Sequence, residues 1–159
     1  MIIERIEPIA LRLPFQRQGG ADALHLVLCR VTTRGGVVGY GECLCLRPTL
    51  QSSLMATIRD AIAPIYLGKP AADRERLNRD VRLRLTAFGR SGTILNALAA
   101  VDTALWDIAG KEARQPLSAL LGGARRDRVP VMASLDRYND ARTVTARIER
   151  ALASNVAAV

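Results

Sequence analysis

The sequence predicts an α+β fold, in which a three-stranded antiparallel meander precedes a helical bundle and a single βα unit. Three observations predict it. Apolar and polar residues alternate through much of residues 2–42, apolar residues recur at helical spacing through residues 54–112, and a strand, helix, strand order begins at residue 129. Alternation is typical of a half-buried strand, whereas spacings of three and four are typical of a helix. With 159 residues, 49% of them hydrophobic, the chain can bury a core around these elements.

The predicted sheet comes first in the chain. Residues 2–13 read as a strand, and Pro8 places that strand at an edge or a bend of the sheet. Residues 16–23 are polar and contain two adjacent glycines, so we expect a mobile loop there. Residues 24–33 and 37–42 form the two arms of a predicted β-hairpin, because the glycines between them supply the positive φ of a tight turn.

Three helical patterns follow the sheet. The first covers residues 54–65 and ends at Gly68-Lys69-Pro70. The second begins after Asp73, which is expected at its N-cap. Its apolar face consists of Leu77, Val81, Leu85 and Phe88. The third, residues 93–112, is apolar or small on nearly every side, so we expect a central helix that other elements cover.

The pattern changes after a short helix that stops at Gly122-Gly123. Residues 124–128 are a basic linker, and residues 129–134 are a short apolar strand. Residues 139–154 form an amphipathic helix, and residues 156–159 begin another strand. Such an order with short connections predicts one βα unit of a parallel sheet or of a barrel, and a barrel needs eight.

Two pairs of side chains share faces of the central helix at a spacing of four residues, namely Asp102 with Trp106 and Asp107 with Lys111. Their chemistry indicates structural roles. Asp102 can accept a hydrogen bond from the indole or from backbone donors, and Asp107 can pair with Lys111. Glu42, at the end of the hairpin, is also interpreted as structural.

The net charge of +8 raises the possibility of a nucleic-acid partner. The arginines are spread along the chain, however, and the densest group covers several faces of its helix. That group is Arg74, Arg76, Arg79, Arg82 and Arg84. Aromatic residues that could stack on bases are few. We therefore expect no nucleic-acid partner, and a basic nucleic-acid-binding protein remains an alternative that rests on charge alone.

Three cysteines without a framework spacing indicate a reducing compartment, so we expect a cytoplasmic protein. Cys43 and Cys45 are too close in sequence for the usual zinc half-site. No apolar run of about 18 residues occurs, which argues against a membrane span.

The stretch "ALAAVDTALWDIAGKEARQPLSALLGG", the following "RDRVPVMAS" and the hairpin "TRGGVVGYGE" closely resemble the mandelate racemase and muconate lactonizing enzyme branch of the enolase superfamily. The resemblance implies that residues 1–123 are an α+β capping domain and residues 124–128 a linker. Residues 129–159 would then be the first strand, first helix and start of the second strand of an incomplete, truncated TIM-type barrel.

In that family the reaction is abstraction of a proton α to a carboxylate, with Mg²⁺ or another divalent metal stabilising the enediolate. Members act as racemases or epimerases, cycloisomerases or acid-sugar dehydratases, which are isomerases and lyases. The family's Lys-x-Lys or Lys-x-His base and its three metal-binding acids would lie beyond Val159. The resemblance therefore assigns no catalytic and no metal-binding residue to this chain, which we expect to be inactive and metal-free alone.

The resemblance also implies that two loops of the capping domain select a small carboxylate substrate. Candidate contacts in those loops are Phe15, Arg17, Leu46 and Arg47, of which the arginines can pair with a carboxylate. Ser134, Asp136 and Arg137 follow the first barrel strand, where barrel active sites form. A homo-oligomer is expected.

A second hypothesis treats the chain as a stand-alone, non-catalytic module for binding or oligomerisation. A lone βα unit would expose an unpaired strand edge and an apolar helix face, and both favour association.

Overall fold

Three antiparallel strands form the sheet in the computed structural model, which describes residues 1–17, 20–45, 48–135, 140–154 and 156. Side chains are described for these residues except 15–17 and 20–22. The chain divides into two compact units, Met1–Leu121 and Gly122–Val159.

The sheet of the first unit is a meander in the order β1-β2-β3, as predicted. Its strands are β1 (Ile3–Arg17), β2 (Gly20–Thr33) and β3 (Val38–Cys45). Pro8 lies in β1, an edge strand, where its missing N–H costs no hydrogen bond to a further strand.

The expectation of a mobile loop over residues 16–23 is wrong for most of that segment. β1 continues to Arg17 and β2 starts at Gly20, and these two residues are partners in the ladder. Ladder hydrogen bonds come from the backbone, so two polar segments without an apolar pattern still pair once a turn brings them together.

β1 and β2 extend beyond the end of β3. The last β3 residue, Cys45, pairs with His25, and His25 pairs with Arg12 on its other side. Beyond this row the described ladder consists of β1 and β2 alone, over residues 13–17 and 20–24, which we call the arm. The arm is thus a two-stranded ribbon that projects from a three-stranded sheet.

Helices follow the sheet in the predicted order. They are α1 (Thr49–Ala56), a π-helical stretch (Thr57–Ile62), α2 (Ala63–Tyr66), a 3₁₀ turn (Ala71–Asp73), α3 (Arg74–Arg84), a 3₁₀ turn (Thr86–Phe88), α4 (Thr93–Ala113) and α5 (Leu117–Leu120). The first predicted helix therefore contains a π segment. Pro64 follows that segment and has no N–H to continue the α-helical pattern, which accounts for the irregularity.

Phe88 does not belong to the apolar face predicted for α3. The helix ends at Arg84, and Phe88 lies in a 3₁₀ turn with 77% of its surface exposed. Gly89 then adopts a φ of 111°, which turns the chain away from the helix direction. Asp73 occupies the N-cap position of α3 as expected, but its carboxylate forms an ion pair with Arg76 and makes no capping hydrogen bond.

The core lies between the sheet and α4, the predicted central helix. α4 carries seven buried residues, Ala97, Leu98, Ala100, Val101, Ala104, Leu105 and Ile108. α4 runs antiparallel to β3, because Gly39 lies against Ala104 whereas Gly41 lies against Ala100.

In the second unit, α6 (Ala141–Ala153) confirms the predicted amphipathic helix with a later start. Asp140 ends the preceding extended segment and caps the helix by accepting from the backbone N–H groups of Arg142 and Thr143. Among the described residues of this unit, 129–134 show no strand ladder, only a single bridge at Met132. A barrel strand is held by parallel neighbours on both sides, and the described part of this unit supplies none. Most of the strand predicted over residues 156–159 lies outside the described residues.

Candidate functional site

The structure brings the two predicted substrate loops to one end of the sheet. The arm contains most of the first loop, whereas the second loop, predicted after Glu42 over residues 43–50, begins in the last three residues of β3 and ends in the first turn of α1. Because Cys45 pairs with His25 at the root of the arm, both segments leave the sheet at the same level. This end of the first unit is the candidate functional site.

Gln51, in the first turn of α1, connects the two segments. Its side-chain Nε2 donates hydrogen bonds to the backbone oxygens of Leu11, at 3.0 Å, and of Leu26, at 2.9 Å. Leu11 and Leu26 are cross-strand partners in β1 and β2. Sequence reasoning did not single out Gln51, since a polar residue in an exposed helical turn carries no pattern that indicates its partner.

The predicted contact residues are only partly described. Phe15 and Arg17 lie on the β1 strand of the arm, and their side chains are outside the described set. Leu46 and Arg47 are outside the described residues, between Cys45 and Pro48. In the second unit Ser134 is exposed, whereas Asp136 and Arg137 also lie outside the described residues.

An apolar surface covers the root of the arm on one face of the sheet. The ladder places Leu13 opposite Leu24, and Leu26 between Leu11 and Leu44. Side chains directly opposite each other lie on one face, as do residues two apart in a strand. Leu26 is buried, but Leu13, Leu24 and Leu44 are 46%, 39% and 49% exposed. This face offers a wall for apolar contact.

The opposite face of the sheet carries His25 and the three cysteines. Burial raises the pKa of Cys29 to about 12 and that of Cys43 to about 11, and it also raises the pKa of Cys45. Thiols with raised pKa values are poor nucleophiles. His25 faces Cys45 across the ladder, and its Nδ1 is buried without a hydrogen-bond partner. We find no nucleophile poised for catalysis among these groups.

The described residues do not fit a magnesium site. Within the described ranges, no group of three or more His, Cys, Asp or Glu side chains could hold a metal ion. Mg²⁺ prefers carboxylate and water oxygens, whereas the groups at the root of the arm are thiols and an imidazole. The described helices also include none that is long and apolar enough to cross a membrane.

Asp107 and Lys111 of α4 bind the edge strand of the sheet. The Lys111 Nζ lies 2.7 Å from the Asp107 carboxylate, which also accepts from the backbone N–H of Tyr40 at 2.9 Å. Lys111 donates to the backbone oxygen of Val38 at 2.8 Å. The pair therefore joins α4 to the backbone of β3, while Glu42 further along β3 is exposed.

The other α4 pair has different partners from those expected. Asp102 accepts a hydrogen bond from the Asn78 side chain at 2.6 Å, rather than from the indole, and Asn78 in turn accepts from the Tyr66 hydroxyl. Burial raises the pKa of that Tyr66 hydroxyl. The Trp106 ring stacks against the guanidinium of Arg74, 3.7 Å from the ring centroid. Both contacts hold α3 to α4.

This architecture has a match among known families. The sequence profile described as mandelate racemase / muconate lactonizing enzyme, N-terminal domain, matches residues 4–122. The chain belongs to this family. The match confirms the resemblance and the predicted fold class.

Named relatives of the mandelate racemase / muconate lactonizing enzyme family support the assignment. The chain is 37% identical over 138 residues to a D-gluconate dehydratase of Thermoproteus tenax, covering 83% of this chain and 26% of the relative. It is 34% identical over 119 residues to a chloromuconate cycloisomerase of Cupriavidus pinatubonensis, covering 70% and 30%. A racemase structure from Streptomyces coelicolor, with bound magnesium, matches with a TM-score of 0.83 at 28% identity, covering 96% of this chain and 44% of that one.

The chain corresponds to only part of these proteins. The curated relatives are matched over 24–30% of their own lengths. The family profile describes the N-terminal domain of these proteins. The residues that match it, 4–122, coincide closely with the first unit, Met1–Leu121.

Proposed function

We propose that this chain is the capping part of a longer, Mg²⁺-dependent enzyme that removes a proton from the carbon next to a carboxylate. The observation that carries the proposal is the family match over residues 4–122. A dehydratase and a cycloisomerase occur among the relatives, and a racemase among the structural neighbours. The proposal therefore commits to a carbanion next to a carboxylate: racemisation and acid-sugar dehydration reach it by removal of the α-proton, whereas cycloisomerisation of a muconate reaches it by ring closure and then adds the α-proton.

The proposal divides the work between two parts of the longer protein. The base and the carboxylates that hold Mg²⁺ belong to a barrel outside this chain, where bound Mg²⁺ would stabilise negative charge on the substrate carboxylate. This chain supplies the end of the sheet with the arm and the segment after β3, which covers the substrate. In this proposal, residues outside this chain would hold the metal.

Substrate selection is the role proposed for this chain's own side chains. Arg17 and Arg47 can pair with a carboxylate, because the guanidinium fork matches its two oxygens. Phe15 and Leu46 would supply apolar contact to the substrate. Ser134, Asp136 and Arg137 are proposed as further substrate contacts. We expect the longer protein to be a homo-oligomer, which light scattering would measure.

The test is hydrogen exchange followed by NMR in D₂O. The longer protein, purified from the organism that makes it, is incubated with D-gluconate, mandelate or chloromuconate, one for each reaction type, in Mg²⁺ or in EDTA. We expect α-deuterium incorporation or turnover with at least one acid in Mg²⁺ and none in EDTA, and no reaction by the 159-residue chain alone. Exchange by this chain alone, exchange that persists in EDTA, or no reaction with any acid would contradict the proposal.

A further inference from the structure

Gln51 touches both strands of the hairpin at the root of the arm. We propose that Gln51 is a positioning residue, whose side-chain amide holds the two strands at the root of the arm to the start of α1 and so fixes the direction of the arm. The effect on substrate rests on the proposed function, whereas the contact itself rests on the geometry of the described residues.

The geometry suits a double contact. A primary amide nitrogen carries two N–H groups, so Nε2 can donate to two acceptors at once. The distances to the backbone oxygens of Leu11 and Leu26, 3.0 and 2.9 Å, are both normal for N–H···O hydrogen bonds. Because these two residues are cross-strand partners, a single side chain holds both strands at the same level.

The contact lies where the sheet narrows. Leu11, Leu26 and Leu44 lie side by side in a row that crosses all three strands. The next row, which ends with Cys45, is the last three-stranded row in the described part of the sheet. Farther out, the described residues pair the arm with no third strand, and an isolated two-stranded ribbon is marginally stable in water. The direction of the arm therefore depends on contacts at its root.

Gln51 also ties the strands at the root of the arm to the start of α1. It lies in the first turn of α1, a helix whose N-cap residue, Pro48, makes no side-chain capping hydrogen bond. Pro48 belongs to the last part of the second predicted substrate loop, residues 43–50, and Gln51 follows that loop directly. The amide of Gln51 thus ties the end of that loop to the strands that carry the first loop.

The first test measures amide hydrogen exchange in the 159-residue chain. Gln51→Met keeps the length of the side chain and removes both donors, whereas Gln51→Lys keeps N–H donors. Ser52→Ala alters the exposed neighbouring residue as a control. We expect about tenfold faster exchange in the arm for Gln51→Met, with β3 and α4 unchanged. The Lys variant should stay within about threefold of the wild type and Ser52→Ala should equal it. Unchanged exchange in the arm, or an equal rise through the whole sheet, would overturn the proposal.

The second test measures kinetics of the longer enzyme with whichever acid it converts. For Gln51→Met we expect KM to rise about tenfold while kcat stays within about twofold, because a misplaced arm weakens substrate binding. A fall in kcat at constant KM would overturn the positioning role. If the wild-type longer protein converts no acid, the proposed function fails and so does the substrate role of Gln51. Amide exchange still decides whether the contact holds the arm.

Discussion

At the scale of single residues, two glycines of β3 determine how closely the central helix approaches the sheet. A Cβ added at Gly39 would lie 2.1 Å from the backbone oxygen of Ala104, and one added at Gly41 would lie 2.1 Å from that of Ala100. No side chain fits at such distances. The Gly-x-Gly spacing in a strand and the Ala-x-x-x-Ala spacing in a helix are visible in the sequence, but only the structure shows that they face each other.

Gly41→Ala should destabilise the fold strongly. The new methyl group would meet helix backbone that cannot move away, so we expect a loss of about 3 kcal/mol in the free energy of unfolding. Gly35→Ala is the matched control, since a Cβ there meets nothing within 4 Å. Urea unfolding followed by the fluorescence of the single Trp measures both variants. Equal stabilities would mean that the helix does not approach the strand as closely as the structure shows.

The three cysteines should be protected in the folded chain. All three are free and buried, and burial raises the pKa of each thiol. Very little thiolate is therefore present at pH 8, and it is shielded from reagents. We expect no fast reaction with a disulfide reagent such as DTNB in buffer and a reaction of all three thiols in urea. Rapid modification of the folded chain would show that β2 and β3 are not covered.

At the scale of elements, the hairpin and the central helix could be predicted because their signals are local. Alternation and glycines gave the β2–β3 turn, and apolar residues all round the helix predicted the buried α4. The arm could not be predicted, since backbone pairing of polar segments leaves no side-chain pattern. The strand at residues 129–134 stays a prediction, because its apolar pattern requires neighbouring strands to become a ladder and most of the next predicted strand lies outside the described residues.

The joint between α4 and β3 should depend on Asp107. Its carboxylate satisfies the N–H of Tyr40 as well as pairing with Lys111. Asp107→Ala should therefore cost about 1 kcal/mol in the free energy of unfolding. Glu112→Ala, which removes an exposed carboxylate on the same helix, should change stability by less than about 0.5 kcal/mol. Urea unfolding of both variants compares them, and a larger effect for Glu112→Ala would refute this account of the joint.

At the scale of the whole molecule, the high positive charge is partly used within the fold. Arg74 stacks on Trp106, and Arg76 pairs with Asp73 and Asp80. These contacts give two members of the densest arginine group structural partners. The candidate site could be predicted only to the level of two loops, because contacts such as that of Gln51 join residues whose partners are distant in sequence.

Because the proposal assigns the chemistry to a barrel outside this chain, it predicts the size of the intact protein. A capping domain of about 130 residues and a barrel of about 250 residues together have a mass of about 40 kDa. The chain itself has a mass of 17.2 kDa. A measurement of the intact mass therefore distinguishes the longer protein from the 159-residue chain.

The intact mass of the protein, purified from the organism that makes it and measured by mass spectrometry, therefore tests the central claim most directly. We predict a mass near 40 kDa in which this sequence forms the N-terminal part. A mass of 17.2 kDa would contradict the account, because the cell would then make the fold of a capping domain without the barrel to which we assign the chemistry.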